Sequence, residues 1–148
     1  MTTFNIIAQR LNIAQHLYAD LLSFISETNL ASKLPNLPSN TFGQQLWCVV
    51  GARESYTKAI AAGNWQGFSC SLKNDSIYVR AEVTAALQRS ANELNGMLSK
   101  IESLTDGQYS LTFQLLEHEV QHQGQLIRYL YGLKLGVPAS WKARYNLD

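Results

Sequence analysis

Apolar side chains recur at helical spacing along most of the chain. From Asn5 to about Glu27 they fall at Ile6, Ile13, Leu17, Leu21, Phe24 and Ile25, a one-sided stripe that predicts a first helix. The stretch 31–40 carries Pro35 and Pro38 and reads as a connecting loop. Thr41, followed three residues later by Gln44, has the form of a capping box opening a second helix that runs to about Ala62. The stretch 63–74 holds two glycines and several small polar residues, which predicts a longer loop. Asp75 or Ser76 is placed to cap a third helix, with Ile77, Val83, Leu87, Leu94, Leu98 and Ile101 as its apolar side. Asp106-Gly107 marks a turn, Ser110 is a cap for a fourth helix through about Leu133, and Gly136-Val137-Pro138 ends it. No segment alternates with period two over a convincing length. The pattern predicts an all-α domain spanning 1–148: a four-helix bundle, antiparallel or ferritin-like, with helices of roughly 20–25 residues. The tail from Val137 keeps Trp141 and Tyr145, so it is expected to pack against the bundle.

Composition narrows the functional classes. With 148 residues, 46% hydrophobic and 16% charged, the chain can fill one core and is too apolar to be disordered. Twelve Lys+Arg against eleven Asp+Glu give a net charge of +1, with the basic residues scattered from Arg10 to Arg144. That pattern has no phosphate-neutralising patch, so no nucleic-acid partner is expected. No apolar run approaches the roughly 18–20 residues needed to cross a bilayer. The start of the chain lacks a basic, apolar leader, and two cysteines make no disulfide framework. The expectation is a soluble cytoplasmic protein without a membrane partner.

One pair of residues has ligand-like spacing. His118 and His122 lie four apart on the fourth helix, about 40° apart around its axis, so both imidazoles can face one ion. Leu111, Leu115, Leu126 and Tyr129 point in nearly the same direction, which puts the histidines on the inward stripe. Such a pair is half of a transition-metal site; it also suits half-buried histidines bonded to backbone or carboxylates. The string His118-Glu119-Val120-Gln121-His122 also matches H-E-x-x-H, in which Glu119 would be the general base of a zinc peptidase. The extended form of that motif wants Gly and His where this chain has Gln125 and Arg128, and no sheet edge is present to align a peptide.

The segment from Glu117 to Leu126 resembles the last-helix H-x-x-x-H-x-G-Q motif of the DinB/YfiT-like superfamily. The closing Gly136-Val137-Pro138-Ala139-Ser140-Trp141 is similar to the tail that commonly follows it. The segment from Phe42 to Cys48 resembles the place where that family supplies its first metal ligand. The resemblance implies a bacterial four-helix bundle, often homodimeric, that binds a divalent metal through one histidine on helix two and two on helix four. It further implies a thiol-dependent S-transferase that joins a low-molecular-weight thiol cosubstrate to a small electrophile, in stress or detoxification. The small-molecule ligand would be that electrophile, and the nucleophile the thiol rather than a side chain.

This chain departs from the pattern at the first ligand, where Cys48 stands in place of histidine. A Cys48/His118/His122 set would suit zinc, with nickel or manganese as other divalent candidates. Cys48 ligation would add negative charge and blunt the ion's Lewis acidity. The other reading makes Cys48 a small buried hydrophobe and the chain a metal-free, non-catalytic dimeric binding bundle. Several further residues carry expectations. Gln45 is offered as a weak amide ligand one turn before Cys48, and Gln125 as a partner for a ligand or for His122. Gly124 is read as a point of close helix approach, and Arg53 and Glu54 as a pocket lining or a surface pair. Glu117 and Glu119 are read as able to orient a neighbouring imidazole, with one of the two solvated, Trp47 as core, and Cys70 as a loop residue able to approach the site.

Overall fold

The computed structural model describes residues 2–148, and among these it is helical without a strand. Four long helices, α1 (Thr3–Phe24), α2 (Phe42–Ala62), α3 (Arg80–Leu98) and α4 (Asp106–Gly132), are followed by a short α5 (Ala139–Tyr145). A 3-10 turn over Glu27–Ala31 lies between α1 and α2. The bundle closes in the order α1, α3, α2, α4: each packs on its neighbours in that ring, and α1 closes on α4.

Two apolar clusters show the helix directions. Leu17, Leu21, Leu46, Val49, Val83, Leu87, Leu126 and Leu130 share one end. Ile7, Leu11, Ala52, Ile60, Leu94, Leu98 and Leu115 share the other. Residue numbers rise toward the first cluster along α1 and α4 and fall toward it along α2 and α3. So α2 and α3 run parallel to each other and antiparallel to α1 and α4. Parallel neighbours need a long crossover, and residues 63–79 supply it by running back along α2. Ser55 Oγ donates to the Ser69 carbonyl (3.1 Å) and Trp47 Nε1–H to the Leu72 carbonyl (2.9 Å). Further along, the Ile77 carbonyl sits against Gly43, where a Cβ would overlap it.

The helix boundaries follow capping chemistry. The Thr41–Gln44 capping box opens α2 as its spacing predicts, with both reciprocal hydrogen bonds made. Elsewhere the predicted starts are corrected. Helix α4 begins at Asp106, because Thr105 and Gln108 form a capping box of the same kind, its cap five residues before Ser110. Asp106-Gly107 is therefore its first turn and not a separate one. Helix α3 begins at Arg80 rather than beside Asp75 or Ser76, which lie in successive turns. Its Arg80 N–H is met by the Glu27 carboxylate (2.9 Å), a cap supplied from 53 residues away. Ile101 lies beyond α3, and α1 stops at Phe24, leaving Ile6 and Phe24 exposed although the stripe places them inward. The tail packs as expected: Trp141 is fully buried and its Nε1–H donates to the Leu17 carbonyl at 2.8 Å.

Candidate metal centre

The antiparallel seam between α2 and α4 brings Cys48, His118 and His122 together. Their ligand atoms all lie within 4.8 Å of one another, forming a cluster able to hold a metal ion. Cys48 Sγ is 3.6 Å from His118 Nε2, and the two histidine Nε2 atoms are 3.2 Å apart. In a tetrahedral zinc site with ordinary bond lengths, two nitrogen ligands sit about 3.3 Å apart and a nitrogen and a sulfur about 3.6 Å apart. These two separations match those edges, and the third pair, Cys48 and His122, has its ligand atoms within 4.8 Å.

Gln45, one turn before Cys48, is not a ligand in this arrangement but an orienter. Its Oε1 accepts a hydrogen bond from His122 Nδ1–H at 2.7 Å. A neutral imidazole carries one proton, so this bond leaves the His122 Nε2 lone pair bare and aimed at His118. Burial, reinforced by the neighbouring His118, pushes the His122 pKa down to about 4. Burial also lowers His118, against the opposing pull of the Glu119 charge. Both rings are thus neutral at ordinary pH. Two bare Nε2 atoms at 3.2 Å repel each other, so either a His118 Nε2–H or a cation has to lie between them. His118 Nδ1 is buried without a hydrogen-bond partner. Burial raises the Cys48 thiol above its ordinary pKa.

Glu119, next in sequence to the first histidine, turns the other way. It is fully buried and forms a two-pronged ion pair with Arg53: Nε to Oε1 at 2.5 Å and Nη2 to Oε2 at 3.0 Å. Arg53 Nη1 also donates to Gln15 Oε1 and to the Leu87 carbonyl (3.2 Å), and Tyr18 Oη donates to the Glu119 carbonyl (3.0 Å). The guanidinium lies 5.3 Å from the Tyr18 ring centre. Burial opposes the charge on Arg53, but the Glu119 carboxylate outweighs it and holds the pKa up. This network joins all four long helices in a polar layer between the two apolar clusters. It corrects the reading of Arg53 as a pocket or surface residue and of Glu119 as orienting a histidine. It also removes the peptidase reading, since a carboxylate clamped by arginine in the dry core cannot serve as general base on water at the histidines.

The remaining candidates fall into place around the seam. Glu54 accepts from Ser71 N–H (2.7 Å) and Oγ (2.5 Å), tying the crossover to α2. Trp47 is half-buried and Cys70 donates to its carbonyl; burial pushes the Cys70 thiol up to about 11. Both cysteines are free thiols. Gly124 is exposed, and a Cβ there would meet nothing within 4 Å, so it is no point of close approach. Glu117 and His16 are exposed, and no helix among the described residues is long and apolar enough to cross a membrane.

The polar layer was missed by motif reading, yet the sequence carries a signal for it. Arg53 continues the Leu46, Val49, Val50 stripe, and Glu119 sits between Leu115 and His122 on the inward face of α4. Opposite charges at core positions of two helices imply that they meet. Compared with family models, with curated proteins and with solved structures, the chain gave no significant match.

Proposed function

We propose that this chain is a DinB/YfiT-like metal-binding bundle in which Cys48, His118 and His122 hold a divalent ion, zinc best matching the donors. In this reading it transfers a low-molecular-weight thiol to a small electrophile. The observation that carries the proposal is the convergence of Cys48, His118 and His122, two of whose separations are those of a tetrahedral site, with Gln45 selecting the His122 tautomer that leaves Nε2 free. The motif around His118 and His122 supplies the family, and with it the expectation of a homodimer.

The ion, when bound, supplies Lewis acidity that lowers the pKa of a thiol beside it. The chain's own residues then divide the work. Gln45 holds the His122 ring against rotation. Arg53 keeps Glu119 out of the site, so no protein carboxylate competes as a base or ligand. By the family resemblance the incoming thiol would be the nucleophile, and Cys48 as a thiolate would temper the ion's acidity. Protein loaded with zinc, nickel or manganese, mixed with glutathione and a fluorogenic chloroalkyl electrophile, tests this. Conjugation above the spontaneous rate, abolished by chelator and by His118→Ala, is expected. A rate equal to the spontaneous one with all three metals would overturn the transferase.

One observation favours a second reading. A His118 proton bridging the two Nε2 atoms completes a hydrogen-bonded chain from Gln45 through His122 to His118 without an ion, with only His118 Nδ1 left unpaired. The protein would then be a metal-free, non-catalytic dimeric bundle. Zinc titration separates the two: a rise in melting temperature, reversed by chelator, belongs to the metalloprotein alone.

A further inference from the structure

One helical turn beyond His122 along the same seam lies a cavity of about 200 Å³, roofed by the loop at Leu34 and lined by Asn40, Gln45, Gln125, Arg128 and Tyr129. Two of its polar groups lack protein partners. The Arg128 guanidinium forms no ion pair; the only one among the described residues is that of Arg53 with Glu119. Gln45, a lining residue, uses its Oε1 on His122, which leaves its amide N–H donors without a protein partner. Tyr129, by contrast, is satisfied: its hydroxyl donates to the Asn40 carbonyl and fixes the wall. A free guanidinium at a cavity rim is a ready carboxylate receptor.

We propose that this cavity binds a small carboxylate ligand, with Arg128 and the Gln45 amide holding the carboxylate. Gln45 touches both this cavity and His122, so the cavity is placed to anchor the carboxylate end of a substrate whose reactive atom lies at the Cys48/His118/His122 cluster. That last role rests on the metal-centre reading; the carboxylate site itself does not.

The test uses the full chain, isotopically labelled, in metal-free and zinc-treated forms. The Gln45 side-chain amide and the Arg128 Nε–H are followed by NMR during titration with butyrate and with 1-butanol. Saturable shifts at these groups are expected in both forms with butyrate and absent with the alcohol. Arg128→Ala, at an exposed position that folding tolerates, should weaken carboxylate binding about tenfold or more. Absence of shifts, equal response to the alcohol, or full affinity in Arg128→Ala would overturn the site. Carboxylate binding that persists in a protein unable to take up zinc would leave the site standing and sink the metal-centre reading alone.

Discussion

At neutral pH Cys48 is a thiol, because burial raises its pKa, while His118 and His122 are already neutral because burial lowers theirs. Ligation needs a thiolate, so zinc uptake has to release one proton from Cys48 and none from the histidines. Below the thiol's raised pKa, apparent affinity therefore climbs about tenfold per pH unit. Calorimetry in buffers of different ionisation enthalpy should count close to one proton released per zinc at pH 7.5; zero would mean that Cys48 does not ligate. Gln45 acts at the same scale but through geometry. Replacing it by Ala frees the His122 ring and its tautomer, and metal affinity is expected to fall about 10–100-fold, read by competition with a chromogenic chelator. Unchanged affinity would show that the hydrogen bond does not orient the ligand.

At the scale of elements, the sequence carries much of the fold through capping and periodicity. The Thr41–Gln44 box and the apolar stripes were legible because the atoms involved are neighbours in sequence. The Glu27 cap on α3 was not, since a carboxylate 53 residues away meets Arg80 only after folding. The Thr105–Gln108 box was legible in principle and hidden by Asp106-Gly107, whose dipeptide also reads as a turn. Glycines divide in the same way. Gly43 and Gly124 look alike in sequence, yet one abuts the Ile77 and Leu30 carbonyls and the other faces open space. Gly124→Ala should therefore stabilise the protein by up to about 1 kcal/mol in chemical denaturation, as an exposed helix interior requires. Gly43→Ala should destabilise it; the reverse order would mean that α2 and the crossover are not packed as described.

Across the whole molecule, the polar layer of Gln15, Tyr18, Arg53, Glu119 and the Leu87 carbonyl joins the four helices and separates the two apolar clusters. Removing one partner strands a charge in the core. Arg53→Ala is expected to cost about 3–5 kcal/mol, whereas the double variant Arg53→Met with Glu119→Leu should lie close to the parent or above it. Equal losses in both would argue against the pair as a buried unit. The candidate centre was partly legible at this scale: the histidine spacing named two ligands, and family resemblance named the Cys48 position. The roles of Gln45 and Arg53 needed the seam between α2 and α4, because neither residue type announces a buried partner by itself. The central claim is that Cys48, His118 and His122 together hold one ion. Metal content by elemental mass spectrometry, on untagged protein reconstituted with zinc beside Cys48→Ala and His122→Ala, tests it most directly. The account predicts about one zinc per chain in the parent and loss in both variants; a parent that takes up none would contradict it.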